Sequence, residues 1–226
     1  MVEGQVGGRT ASNEDPLRCA VLLSGSGTGM EALVRAQQGQ NLLHQTTVVI
    51  SNKADAAGVG RAQSLGLPTV VIEHQPLGES LSREEHEQKI LDTLLEYDVE
   101  LVVLSGYMRL LSPSFLSKWG RHVINIHPSL LPHFPGAHAH RDVLAAKVSI
   151  TGCTVHLVDD GMDTGAIIAQ HSVPVLKKDD EQRLSERVKV EEHRLYPTVL
   201  TWIAEGRVHH EGSTVSVDGL EGLQPN

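Results

Sequence analysis

The 226-residue sequence predicts an α/β domain: an open, mostly parallel, Rossmann-like sheet flanked by helices and completed by a C-terminal β-hairpin and a long helix. Three observations carry this prediction. Hydrophobic residues make up 40% of the chain but aromatic ones only 3%, so the interior must be built from Val, Leu, Ile and Ala, the residues of strands buried on both faces. Short apolar runs recur along the first half with room for helices between them. The first of these runs ends in a glycine turn that opens a helical pattern.

Taken in order, RCAVLLS (18–24) is a continuous apolar run ended by GSGTG, after which Met30, Leu33 and Val34 follow at helical spacing. TTVVIS (46–51), TVVIE (69–73), ELVVLS (100–105) and HVINI (122–126) are the further strands of the parallel half. Between the third and fourth of these five strands, Ser82 and Glu85 make an S-x-x-E capping box, and Ile90, Leu91, Leu94 and Leu95 supply the apolar face of a helix. ITGCTVHLV (150–158) and AIIAQHSVPV (166–175) form a hairpin joined through DDGMDTG, and a long helix runs over 181–205, with Pro197 interrupting its hydrogen bonding. Residues 1–17 are Gly-rich and polar without periodicity and are expected to be a loose tail. Residues 18–207 form the single domain, and 208–226 a C-terminal extension.

Formal charge excludes some partners. With 28 acidic against 19 basic residues the net charge is −9, which argues against nonspecific binding of nucleic acid or an anionic membrane. No apolar run approaches the roughly 20 residues that a spanning helix needs. Cys19 and Cys153 have neither C-x-x-C spacing nor a disulfide framework, and the N-terminus carries no apolar signal core, so a cytoplasmic setting is expected. Nothing in the sequence sets an oligomeric state.

Two constellations bear on chemistry. Gly25, Gly27 and Gly29 allow the backbone to approach an anion at a helix start, suiting a mononucleotide phosphate better than a dinucleotide, since both the P-loop and G-x-G-x-x-G spacings fail. The alternative is a tight turn with no ligand. Asn125 and His127 are one residue apart in an extended segment and point to the same side. An amide can donate to a developing oxyanion, and an imidazole can do so and also shuttle a proton. Here the alternative is a strand end whose polar groups satisfy nearby backbone. Asp163, in the glycine-flanked loop of the hairpin, is the carboxylate favoured to orient His127, and it is expected to raise the His127 pKa. His133, His138 and His140 lack metal-site spacing, so no metal is expected, and no G-x-S-x-G elbow is present.

NIHPSLLP with its following FPG, together with TGCTVHLVDDGMDTGAII, resembles the folate-dependent formyltransferases, and SNKADAAG and GYMRLLS narrow the resemblance to the phosphoribosylglycinamide branch. It covers about residues 18 to 204. The resemblance implies the formyltransferase fold, 10-formyltetrahydrofolate as co-substrate, and glycinamide ribonucleotide as the acceptor in purine biosynthesis. It implies Asn125, His127 and Asp163 as the catalytic trio. It also implies folate contacts at Arg83, Met108, Arg109, Leu110, Leu111 and Asn125, and along Asp159, Asp160, Gly161, Met162 and Asp163. Ribonucleotide contacts fall at Gly27, Thr28 and Gly29 and at Lys189, Val190, Glu191 and Glu192, although the residues alone read 187–193 as a charged helix face with Val188 inward. One departure stands out: Thr28-Gly29 replaces the family's usual Ser-Asn, so a side-chain amide contact is lost.

Water, as in formyltetrahydrofolate hydrolase, and methionyl-tRNA are rival acceptors. The short tails, which cannot supply either rival's extra domain, are expected to disfavour both, and the net charge disfavours tRNA. A non-catalytic nucleotide-binding domain would need the glycine turn but not the trio.

Overall fold

The computed structural model describes residues 2–40, 42–74 and 81–220. In chain order its elements are β1 (Gly4–Gln5), β2 (Leu17–Leu23), α1 (Thr28–Gly39), β3 (His44–Ser51), α2 (Ala57–Ser64), β4 (Thr69–Val71), α3 (Arg83–Glu96), β5 (Leu101–Leu104), α4 (Pro113–Trp119), β6 (Val123–His127), α5 (Ala139–Ala146), β7 (Ile150–Leu157), β8 (Ile167–Pro174), α6 (Glu181–Ala204), β9 (Val208–Glu211) and β10 (Thr214–Val217). Seven strands form the main sheet in the order β4-β3-β2-β5-β6-β7-β8. The pairings from β4 through β6 are parallel, and β7 and β8 add antiparallel to the β6 edge. The chain winds outward from β2 to β4 and then returns to β5 beside β2. That reversal opens a crevice at the carboxyl ends of β2 and β5, the place where open α/β sheets hold ligands.

Strand alternation explains the layers. Cys19, Val21, Leu23, Leu101 and Val103 face one side, where Met30, Leu33 and Val34 of α1 and Leu184, Val188, Val199 and Ile203 of α6 cover them. Ala20, Leu22, Val102 and Leu104 face the other side, against Ile90 and Leu94 of α3 and Phe115 and Trp119 of α4. Burial of aliphatic side chains on both faces is worth about 1.5–3 kcal/mol per large residue, so the predicted strands need no aromatic support. The Ser82–Glu85 capping box is present at the start of α3, with Glu85 N 3.1 Å from Ser82 Oγ and Ser82 N 2.8 Å from Glu85 Oε2. Leu95 is the exception on that helix, since it is exposed rather than part of the apolar face.

The described parts of both ends correct the reading of residues 1–17 as a loose tail. β1 pairs with β9, β9 with β10, and Val6 is fully buried. Arg9 holds Glu100 through Nε–Oε1 at 2.6 Å and Nη2–Oε2 at 2.9 Å. Local patterning cannot reveal this, because each end is stabilised by the other and by a carboxylate at the start of β5. No helix among the described residues is long and apolar enough to cross a membrane.

Candidate active site

A cavity of about 470 Å³ opens at the crevice between β2 and β5. Its floor comes from the loop after β2, the segment after β5, the end of β6, the β7–β8 connection and one face of α6.

Asn125 and His127 leave β6 toward this cavity, and the hairpin loop brings Asp163 to them. Asp163 Oδ2 lies 3.2 Å from His127 Nδ1 and accepts a hydrogen bond from Gly136 N at 2.8 Å. The loop reaches inward because Asp163 itself adopts a left-handed backbone, φ 57°. Gly165 serves a different purpose: a Cβ there would sit 1.8 Å from Leu157 O, so close packing against β7 requires its absence. Asp159 organises the same loop, accepting from Gly161 N at 3.1 Å and Thr164 Oγ1 at 2.7 Å.

His156, not singled out from the sequence, completes the group. It stands directly opposite Asn125 in the β6–β7 register. Its Nδ1 lies 2.8 Å from Leu157 O, which can only accept, so Nδ1 carries the proton. Nε2 lies 3.1 Å from Asn125 Nδ2, from which it accepts when the ring is neutral, and 3.6 Å from Asp163 Oδ1, whose charge it favours when the ring is protonated. His156 therefore fixes which way the Asn125 amide points. The available sequence signal was a histidine in an otherwise apolar strand, one strand away from Asn125.

His127 is placed differently from expectation in its protonation. Both ring nitrogens face acceptors: Nε2 is 2.9 Å from Phe134 O, and Nδ1 faces Asp163. Burial nonetheless lowers its pKa below the ordinary value, outweighing the upward pull of the Phe134 carbonyl and the Asp163 charge. The expected rise is thus corrected by desolvation. For Asp163, burial alone would raise the carboxyl, but the approach of His156, the Gly136 N–H and the His127 ring together hold it below the usual aspartate range.

At another part of the cavity, Gly27, Thr28 and Gly29 line the wall where α1 begins. Gly27 is the N-cap in a left-handed conformation, φ 72°, and no side chain caps the helix. A Cβ at position 29 would meet Ser105 Oγ at 2.6 Å, so the family's asparagine cannot fit here with Ser105 as placed. Lys189 and Glu192 face the cavity from α6, with His193 and Tyr196 continuing the same helical face. Burial pushes the Glu192 carboxyl up to about 7, with Lys189 pulling it back. His140 Nδ1 and His193 Nε2 are buried without a hydrogen-bond partner among the described residues. Val190 and Glu191, expected here, lie off the cavity: Val190 is exposed, and Glu191 pairs with His171 at 3.2 Å and Arg194 at 2.7 Å. Helical spacing turns those two positions away.

Met108, Leu110 and Leu111 form a wall that is apolar but for Arg109 among them, joined by Gly161 and Met162 in the same cavity. Met108, Leu110 and Met162 are more than half exposed, an unusual concentration of bare apolar surface at a cavity mouth. Two expected contacts lie outside the cavity lining: Asp160 is exposed to solvent, and Arg83 is half-exposed, its Nη2 donating to Leu110 O at 2.7 Å and its Nε to Glu87 at 3.2 Å.

Comparison with known proteins matches this architecture. Residues 17–200 match the formyl transferase family model. The trifunctional purine biosynthetic protein adenosine-3 of Gallus gallus is 44% identical over 207 residues, covering 92% of this chain but only 20% of that protein, so the chain spans about one fifth of the relative's length. The phosphoribosylglycinamide formyltransferase of Escherichia coli K12 is 37% identical over 204 residues, 90% of this chain and 94% of the relative. The crystal structure of glycinamide ribonucleotide transformylase 1 from Symbiobacterium toebii has a TM-score of 0.84 at 40% identity, covering 89% of this chain and 94% of that one. With the sheet, the hairpin and the cavity all inside the matched region, the chain belongs to the formyl transferase family.

Proposed function

We propose that the protein transfers the formyl group of 10-formyltetrahydrofolate to the amine of glycinamide ribonucleotide, giving formylglycinamide ribonucleotide and tetrahydrofolate in purine biosynthesis. The observation that carries this reading is the meeting in one cavity of three unlike surfaces. These are an uncapped helix start suited to a phosphate, a bare apolar wall suited to a flat folate ring, and the Asn125, His127 and Asp163 group.

The folate supplies the formyl group when bound; Met108, Leu110 and Met162 would hold its ring. The acceptor would lie with its phosphate at α1 and its amine toward His127. An amine that forms a new bond to a carbonyl carbon must lose a proton, and His127 is built to take one. Burial favours its neutral form, in which one ring nitrogen carries a lone pair; that nitrogen turns from its oxygen to take the proton of the amine, and Phe134 O and Asp163 then stabilise the imidazolium. The ring then returns that proton toward the departing nitrogen. Asn125 spends one amide hydrogen on His156 and keeps the other for the carbonyl oxygen as negative charge develops there. Asp163 holds the charge of the imidazolium and stays ionised itself.

An acceptor panel tests the reading. Glycinamide ribonucleotide, methionyl-tRNA and water alone are each supplied with 10-formyltetrahydrofolate, and formyl consumption is followed. Turnover should depend on the ribonucleotide. Equal consumption with water alone would make the protein a hydrolase instead.

A further inference from the structure

Position 29 must stay glycine for as long as Ser105 keeps its hydroxyl where it is. A Cβ on Gly29 would lie 2.6 Å from Ser105 Oγ, while Ser105 Cβ is a comfortable 4.0 Å away, so the conflict is with the hydroxyl alone. Ser105 follows β5, and its backbone N–H is fixed by Leu22 O at 2.9 Å, so the sheet rather than a mobile loop sets its place. The side chain lines the cavity beside the first turn of α1, and among the described residues its hydroxyl has no hydrogen-bond partner. Thr28 beside it does not cap the helix, and Gly27 has no side chain to do so. An unspent hydroxyl on a residue whose backbone the sheet fixes, beside unspent backbone donors, is suited to an anion with several acceptor oxygens.

We propose that Ser105 is a binding residue for the phosphate of the acceptor. Its hydroxyl donates to a phosphate oxygen held at the first turn of α1, and Gly29 is kept small to leave that hydroxyl in place. The inference rests on the reading of the cavity as the site of a phosphorylated acceptor. It adds the residue that follows β5 to a contact otherwise made by the loop after β2, and it couples positions 29 and 105.

Three variants, Ser105→Ala, Gly29→Ala and the double, are compared by steady-state kinetics, with folate-analogue binding as the measure of an intact fold. Ser105→Ala should raise the KM for glycinamide ribonucleotide roughly 10-fold, the scale of one hydrogen bond to a charged group, with little change in kcat or in folate affinity. Gly29→Ala should raise the same KM at least as much, because its methyl displaces the hydroxyl. The double variant should be no worse than Gly29→Ala, since the clash is gone and the same hydroxyl is lost only once. An acceptor KM within twofold of wild type in Ser105→Ala would overturn the proposal, as would a double variant impaired by the product of the two single effects. Binding of ribose 5-phosphate, measured by calorimetry, separates this from the broader reading. If wild type binds it and Ser105→Ala binds it roughly 10-fold more weakly, Ser105 is a phosphate ligand even should the acceptor panel fail; equal binding by the two overturns the assignment.

Discussion

At the α1 end of the cavity the protein presents backbone donors and hydroxyls that bond to nothing among the described residues; at the β6 end the side chains of the Asn125, His127 and Asp163 group are already engaged with one another through His156. Gly27 caps its helix with no side chain, and Ser105 is unspent. By contrast, His127, Asp163, His156 and Asn125 form a continuous chain of contacts at 2.8–3.6 Å, anchored on Phe134 O and Leu157 O. The difference separates two tasks. Open donors gain most when a ligand arrives, so they recruit; interlocked groups have their orientation largely set beforehand, so they need little reorganisation to react.

Breaking the interlocked end should therefore cost turnover, and the largest effect belongs to Asp163. Asp163→Asn should lower kcat by roughly 10²–10⁴-fold, the scale of a positioned acid–base group, with a much smaller change in acceptor KM. Adding His127→Ala to that variant should cost little more, because members of one unit are not additive. Full additivity of the two losses in kcat would mean that they work separately. Next, His156→Ala removes the group that fixes the Asn125 amide, and misplacement of a donor costs about 10–100-fold in kcat; undiminished kcat would show that Asn125 needs no such hold.

Glu192 sharpens the comparison through stability. Its folded pKa, about 7, lies above its ordinary value because of burial, so its contribution is fully present below the unfolded value and is lost as pH rises through about 7. Glu192→Gln should then unfold at higher denaturant than wild type at pH 8, by about 1–2 kcal/mol after allowing for its partial contact with solvent, and match it near pH 4. Parallel stability profiles for the two proteins would remove this account of Glu192. The smallest effect is expected of Arg83→Ala, about 0–1 kcal/mol in folate affinity for a half-exposed side chain. Since Arg83 already donates to Leu110 O, folates with and without a glutamate tail should weaken alike. A tail-dependent loss would restore the direct contact that the resemblance implied.

Elements whose signal is local were legible from the sequence. The central strands announce themselves as unbroken apolar runs because both faces are buried, and the capping box at Ser82 and Glu85 is contained within four residues. Alternate-residue spacing placed Asn125 and His127 on one side, and the glycines flanking Asp163 marked an inward loop. What escaped depends on pairs distant in the chain. β1 and β9 order each other across nearly its whole length, and His156 matters only because β7 lies antiparallel beside β6 in register with Asn125. Ser105 gains meaning from Gly29 on another element. The sign of the His127 pKa shift was missed for a related reason: the Asp163 charge could be inferred from the motif, whereas the depth of burial that outweighs it comes from the assembled fold.

The central claim is that His127 accepts a proton under the influence of Asp163, and the pH dependence of kcat in wild type and Asp163→Asn tests it most directly. Because burial lowers the His127 pKa and the neutral ring is the working form, wild-type kcat should fall as pH drops through a value below the ordinary imidazole pKa. Removing the Asp163 charge takes away an interaction that raises that pKa, so the acid limb in Asp163→Asn should move to still lower pH while the plateau drops. An acid limb that stays in place, or a wild-type profile limited only on its alkaline side, would contradict the account.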